Sequence, residues 1–211
     1  MSESTAGRVV RSGVRGIVTG LAATAAMSVV FVGADRAGAV DRPPPRSIVD
    51  HFLPFVPPKA SDRAAATTHF AYGAAGGVAF ELLMHALHEP RLGRRLASGA
   101  AFGLAVWAAG YEGWVPAMNV LPPAHRDHPA RVASELAAHL VYGLSLGAFG
   151  HLLHRRAARA GAARLDTANP SAARLAPRRR EPVRRELERR EPGRRELERR
   201  AAQRHSPQRR D

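Results

Sequence analysis

Long apolar runs alternate with short charged segments through most of the chain. Four runs, at about residues 14–33, 64–87, 96–121 and 132–153, consist mainly of Ala, Gly, Leu and Val. Each run can cross the hydrocarbon core of a bilayer, which is ~30 Å thick and needs roughly 20 apolar residues in a helix. Backbone polar groups in lipid must be satisfied within the segment, so the runs are predicted to be helices and not strands. The pattern predicts an all-α integral membrane four-helix bundle over residues 14–154, after a short N-terminus at residues 1–13.

Each apolar run contains two glycines spaced four residues apart. The pairs are Gly16/Gly20, Gly73/Gly77, Gly99/Gly103 and Gly143/Gly147. Small residues at this spacing form a strip on one helix face, which lets two backbones approach closely. The strips therefore predict close helix packing. They would serve equally well within one chain or at the interface of a homo-oligomer, and both interpretations stay open.

The second and fourth runs open with the same motif, His-x-x-Tyr-Gly-x-x-x-Gly. It begins at His69 and again at His139, and a loop with adjacent prolines precedes each run. Pro43, Pro44 and Pro45 in the first of these loops favour an extended polyproline stretch. The first two helices thus form one repeat and the last two another. Since each repeat holds two helices, the repeats run in the same sense, as parallel pairs about an axis along the membrane normal.

The arginines set the predicted orientation. The N-terminal flank holds Arg8, Arg11 and Arg15, and the connection between the second and third runs holds Arg91, Arg94 and Arg95. The other two loops carry balanced charges, among them Arg131 and Glu135. Cytoplasmic loops carry an excess of Lys and Arg. The sequence therefore predicts a multi-pass protein of the bacterial cytoplasmic membrane with both termini in the cytoplasm.

Residues 155–211 form a tail with a different composition. Of the 32 Lys and Arg residues, 19 lie in this segment, interleaved with Glu and few apolar residues. Such a composition cannot form a core, and it predicts disorder or short charged helices. Arg155, Arg156 and Arg159 are predicted to bind anionic lipids of the inner leaflet. The interleaved glutamates, and the lack of aromatic residues for stacking bases, argue against nucleic acid as a partner.

Candidate chemistry begins with the histidines and tyrosines of the repeated motif. His69 and Tyr72 share one helix face, as do His139 and Tyr142. Together with Glu81, an ionisable group within a span, they indicate a polar vestibule for a ligand or an ion. The alternative is that each side chain merely binds a neighbouring helix or a lipid headgroup. With no cysteine in the chain, disulfides, thiolate metal sites and cysteine nucleophiles are excluded.

A second group of polar residues lies toward the inner helix ends. It comprises Glu81, His85, His88, His151 and His154. Carboxylate and imidazole groups can bind zinc or iron. The alternative is that His151 or an arginine simply neutralises Glu81. No cofactor is predicted, and no phosphate-binding loop, nucleophile elbow or H-E-x-x-H motif indicates an enzyme.

Short motifs resemble those of the YagU-type small inner-membrane proteins over about residues 15–154. They are Gly16-x-x-x-Gly20 followed by Thr24 and Met27, the Pro44-Pro45-Arg46 segment, and the two His-x-x-Tyr-Gly starts. The first helix lacks an acidic residue before Pro-Pro-Arg, and the basic tail is an addition. The resemblance implies a four-helix membrane protein without an established activity. We expect a non-enzymatic packing, signalling or stress-related membrane component. The alternatives are a small transporter or channel subunit using the vestibule and Glu81, and a metal- or haem-binding membrane protein.

Overall fold

The structure, a computed structural model, describes residues 5–38, 43–88 and 91–168. The chain divides into two compact units, Met1–Arg156 and Ala157–Asp211. All contacts given below lie within the first unit. The prediction of disorder in the tail falls outside the described residues from residue 169 onward, whereas residues 155–168 are helical.

The described residues form helices and connecting turns without a strand. The elements are α1 (Thr5–Arg36), α2 (Pro44–Phe52), α3 (Pro58–Ala86), α4 (Leu92–Trp107), a π-helical segment (Ala108–Trp114), α5 (Val115–Ala117), a 3-10 turn (Ala124–Arg126) and α6 (Pro129–Ala168). This confirms the all-α prediction for the described part of the chain. Two helices there are long and apolar enough to cross a membrane, over Val9–Arg36 and Pro129–Arg164.

Glycines bring α1 and α3 into contact. Gly16 and Gly20 on α1 face Gly73 and Gly77 on α3, and all four are buried. A Cβ on Gly16, Gly20 or Gly77 would overlap backbone atoms of the facing helix, while one on Gly73 would overlap the side chain of Thr24. Only glycine therefore allows the two helices to approach this closely.

The same arrangement joins α4 to α6. Gly99 and Gly103 on α4 face Gly143 and Gly147 on α6, and these four are also buried. A Cβ on any of them would overlap backbone of the opposite helix. The two sequence repeats thus form helix pairs with equivalent packing, and the glycine strips are occupied by contacts within the chain.

The proline-rich connection after α1 folds differently from its sequence prediction. Pro43 is extended, with φ −61° and ψ 140°, but Pro44 and Pro45 begin α2 in place of continuing a polyproline stretch. Proline suits the first turn of a helix because the amide it lacks has no partner there. Arg46 holds α2 against α3 by bonding Asp62 and, at 3.1 Å, the Pro58 carbonyl. It also bonds Asp50 at 2.8 Å, which contributes most to raising the pKa of Arg46.

Polar residues are buried while large aliphatic residues are exposed. The buried polar or charged residues are Ser12, Thr19, Thr24, Ser61, Glu81, Arg95 and Glu135. Exposed aliphatic residues on the long helices include Val14, Ile17, Val18, Val29, Leu82, Leu83, Leu104, Leu140 and Leu144. A small apolar cluster around Phe80, Met84, Tyr142 and Leu146 occupies the centre. Buried charged groups and many exposed large aliphatic side chains are both uncommon for helices surrounded by water.

The helical stretch after Trp107 widens into a π-helix and ends just after Pro116. The π-segment runs from Ala108 to Trp114, and the helix stops at Ala117. Tyr111 in this segment is buried, and its hydroxyl donates to the Asp127 carboxylate. π-segments inside α-helices are rare and occur often at functional sites. The sequence predicts a helix to about residue 121, so the end at Ala117 and the change in helix type both differ from the prediction.

Candidate functional site

A cavity of about 510 Å³ lies between the two helix pairs, with α2 on one side. This volume is within the range of small-molecule sites, ~300–1,000 Å³. Most lining atoms are apolar, contributed by residues such as Met27, Ile48 and Phe102. The side chains with polar groups are Thr24, Thr68, His69, Tyr72, Tyr111, Trp114, Glu135, His139 and Tyr142. The cavity is therefore an apolar space with a small number of polar groups in its wall.

The four aromatic vestibule residues predicted from the repeated motif all line this cavity. His69 and Tyr72 come from α3, and His139 and Tyr142 come from the corresponding turns of α6. Glu81, predicted to join them, does not line the cavity. The structure thus brings together the residues of the two motifs and places the acidic residue elsewhere.

Hydrogen bonds fix two of these side chains. The Nδ1 atom of His139 lies 2.9 Å from the carbonyl oxygen of Glu135. A carbonyl only accepts, so Nδ1 carries the proton and, in the neutral ring, Nε2 is the acceptor. The Tyr142 hydroxyl donates to the Gly73 carbonyl at 2.6 Å and so links α6 to α3. At Gly76, a Cβ would come within 2.6 Å of the same hydroxyl oxygen, so glycine leaves room for the phenol.

Glu135 is the acidic group of the cavity. Its side chain is 2% exposed, and its Oε1 atom has no hydrogen-bond partner in the described part of the chain. Its Oε2 atom lies 3.8 Å from His139 Nδ1. The prediction that Glu135 belongs with the charges of a loop is wrong, because this residue lies within α6, one turn before His139. The spacing of four residues from His139, on a helix, was the available signal.

His69 contributes a second buried polar atom. Its Nε2 has no hydrogen-bond partner among the described residues, and its ring meets that of Phe31 edge-on at a centroid distance of 6.2 Å. Two residues of the cavity wall, Glu135 and His69, therefore each hold a buried polar atom without a hydrogen-bond partner in the described part of the chain.

Glu81 belongs to a separate polar network that connects all four long helices. Arg95 on α4 forms a buried ion pair with Glu81 on α3. His154 on α6 binds the other carboxylate oxygen at 3.0 Å, and Arg15 on α1 lies 3.1 Å from His154 Nδ1. Arginine only donates, so His154 Nδ1 accepts the hydrogen bond from Arg15, and the His154 Nε2–H donates a hydrogen bond to the Glu81 carboxylate. Gly150 provides the space, since a Cβ there would overlap both Glu81 and Arg95.

This network agrees with the alternative interpretation of Glu81, in which its charge is neutralised by neighbouring side chains. The arginine is Arg95, and the histidine that binds the carboxylate is His154 and not His151. His85 and His88 stack on each other at a ring-centroid distance of 6.3 Å. Residues 5–38, 43–88 and 91–168 contain no group of three or more His, Asp or Glu side chains that could hold a metal ion. The geometry therefore gives no support to the predicted metal site at His85, His88, His151 and His154.

The arginines predicted to bind lipid, Arg155, Arg156 and Arg159, are exposed on the last part of α6. Their helical placement is consistent with a charged helix in the first residues of the tail.

Comparisons with known proteins give one match. No curated protein and no solved structure matches the chain. A family model, that of DUF6789, matches residues 10–161, which is more than half of the sequence. Nothing in these comparisons connects the chain to the YagU-type proteins in particular. The chain belongs to DUF6789, a family of unknown function.

Proposed function

We propose that this protein is a non-enzymatic, four-span membrane protein of the bacterial cytoplasmic membrane that binds a small, largely apolar molecule in its cavity. The observation that carries the proposal is the 510 Å³ cavity, whose wall combines apolar residues with convergent polar groups from both helix pairs. Pockets of this size and lining are typical of ligand sites.

The burial pattern supports a membrane location. Val29 is 71% exposed, whereas Glu81, Arg95 and Glu135 are each no more than 2% exposed. In lipid, aliphatic side chains face outward at no cost, and polar groups are stable where they meet each other between helices. In addition to α1 and α6, α3 with 29 residues and the continuous helical stretch of residues 92–117 are long enough to cross a ~30 Å core.

The contacts also support the predicted orientation. The bonds of Arg15 to His154 and of Arg95 to Glu81 gather the start of α1, the start of α4 and the region of α6 before Arg155 at one end of the bundle. These are the arginine-rich flanks, so one end carries the basic excess expected on the cytoplasmic side. The cavity lies toward the opposite end, beside α2, and thus in the outer half of the membrane.

Labelling of single cysteines tests this topology without background, because the natural chain has no cysteine. Lys59→Cys and His125→Cys are expected to react with an impermeant maleimide in intact cells. Gly93→Cys and Arg156→Cys are expected to react only after the membrane is opened. All four positions are exposed in the structure. Reaction of all four, or of none, in intact cells would contradict the four-span arrangement.

Binding can be tested with N-phenyl-1-naphthylamine, a neutral fluorophore that brightens in apolar surroundings. The purified full-length protein in detergent is expected to bind it saturably. Val106→Trp fills the cavity wall and is expected to abolish this binding. Leu104→Trp is the matched control, since Leu104 is 39% exposed on the same helix and does not line the cavity. Equal binding by the two variants would refute the proposal.

A further inference from the structure

We propose that the ligand of this cavity is an organic cation with an apolar body, bound through Glu135. This inference rests on the proposed binding function and specifies the class of molecule bound. It draws on the burial of Glu135, on the charges around it and on the composition of the cavity wall.

The charge of Glu135 is not balanced by the protein. Among the described residues its one ion contact is with His139, whose Nδ1 lies 3.8 Å from Oε2 and carries a charge only when the ring is protonated. Arg131, one turn before Glu135 on α6, pairs with a different carboxylate, its Nε lying 3.5 Å from Asp127. A buried carboxylate in apolar surroundings must be neutralised by a proton or by a cation, because an isolated charge there is very costly. A cationic ligand would provide this neutralisation and displace the proton.

The aromatic lining suits the same class of ligand. Six rings other than histidine line the cavity: Phe31, Tyr72, Phe102, Tyr111, Trp114 and Tyr142. The negative faces of aromatic rings attract cations, most strongly when water is excluded. The apolar atoms that form most of the wall would bind the body of the ligand by burying its surface.

The cavity is unsuited to an anion. No arginine or lysine is among the described residues that line it, and its only basic groups are the imidazoles of His69 and His139. In the neutral form His139 presents an acceptor nitrogen, and such an atom repels an anion and accepts from an ammonium N–H. Charge and hydrogen bonding thus both favour a positively charged group.

Tetraphenylphosphonium and tetraphenylborate are suitable probes, because they have the same shape and opposite charge. We expect the full-length protein to bind tetraphenylphosphonium at least about tenfold more tightly than tetraphenylborate. Glu135→Gln is expected to lower the affinity for the cation at least about tenfold, as removal of one partner from a buried charge pair is strongly unfavourable. Saturable binding of N-phenyl-1-naphthylamine is measured on the same variant to establish whether its cavity is intact.

Glu112→Gln is the matched control. Glu112 is exposed, lies outside the cavity wall and accepts a hydrogen bond from the Ala124 amide, which glutamine can replace. This variant is expected to retain wild-type affinity for the cation. A second measurement uses the wild-type protein: bound tetraphenylphosphonium is expected to protect Glu135 from modification by a lipophilic carbodiimide, read by mass spectrometry of the peptide.

The outcomes separate the two proposals. If the protein binds the neutral fluorophore but binds the two tetraphenyl ions with equal affinity, the cation proposal is overturned and the proposed binding function stands. The same conclusion follows if Glu135→Gln does not change the affinity for the cation. Equal carbodiimide modification with and without the cation would also overturn it. Failure of the protein to bind any of the three probes would refute both proposals.

Discussion

Replacing Arg95 by Met is expected to destabilise the helix bundle by about 3–5 kcal/mol, because it leaves the carboxylate of Glu81 buried without its guanidinium. The two side chains are 2% and 1% exposed, so water cannot take the place of the missing partner. The same reasoning gives a comparable loss for Glu81→Met, which leaves the arginine uncompensated. His154 limits the first loss only slightly, since it offers the carboxylate a single neutral hydrogen bond at 3.0 Å.

The double variant Glu81→Met/Arg95→Met distinguishes a buried charge effect from a simple loss of contacts. Both charges are then absent and two apolar side chains of similar volume fill the site, so most of the stability is expected to return. His154 loses its acceptor in this variant, but its side chain is 38% exposed and can turn to water or a headgroup. The loss of stability in the double variant is therefore expected to be much smaller than the sum of the losses in the two single variants.

Stability can be followed by titrating sodium dodecyl sulfate into protein in mild mixed micelles. The intrinsic fluorescence of Trp107 and Trp114 reports unfolding, and Trp107 stacks on Tyr111 at a centroid distance of 5.9 Å, a contact that is lost when the bundle opens. Arg94→Met is the control, because Arg94 is the exposed neighbour of Arg95, and it is expected to change stability by less than about 0.5 kcal/mol. A double variant as unstable as the sum of the single variants would refute the reasoning.

Three further predictions concern contacts between helices. Gly77→Leu and Gly147→Leu are each expected to prevent folding, because the side chain would overlap the facing backbone; gel filtration is expected to show low yield and aggregation. Gly33→Leu is the control and is expected to behave as the wild type, because no described atom lies within 4 Å of the added Cβ. Normal yield and particle size for Gly77→Leu and Gly147→Leu would contradict the close helix packing. Gly150→Ala is expected to cost about 1–3 kcal/mol in the detergent titration by displacing the buried ion pair; an unchanged midpoint would show that the pair is not held there. Tyr142→Phe is expected to cost about 1 kcal/mol through loss of its hydrogen bond to α3; no change in the same titration would show that this bond contributes nothing.

The glycine contacts were partly predictable from the sequence. Spacing of four residues places Gly73 and Gly77 on one helix face whatever the surroundings, so a close approach could be expected. Which helix lies opposite was not given by the spacing, because every long helix carries such a strip. The repeated motif assigned the first two long helices to one pair and the last two to the other, and in the structure the glycine strips meet within these pairs, α1 with α3 and α4 with α6.

The polar groups show where local patterns stop being informative. The repeated motif placed His69 and His139 at equivalent positions, and both line the cavity. Glu135 has no counterpart in the first repeat, where Ala65 stands four residues before the histidine. Its burial depends on contacts between helices, which a count of loop charges does not include. Alignment of the repeats likewise suggested His151 as the partner of Glu81. In the structure the Glu81 carboxylate lies against Gly150 and binds His154, which is three residues after His151 on α6.

The two helix pairs have a consequence for the symmetry of the molecule. Two identical helix pairs, associated as separate chains, would place the same side chain at both equivalent positions. A carboxylate on one pair would then always be accompanied by an identical carboxylate on the other. Joining the pairs in one chain removes that constraint. The first pair provides Glu81 and Arg15, and the second provides Arg95 and His154. In the cavity, likewise, the acid comes from one pair only. A duplicated architecture that keeps its glycine packing symmetric has thereby become chemically asymmetric in its interior, and a single ligand-binding orientation can be specified.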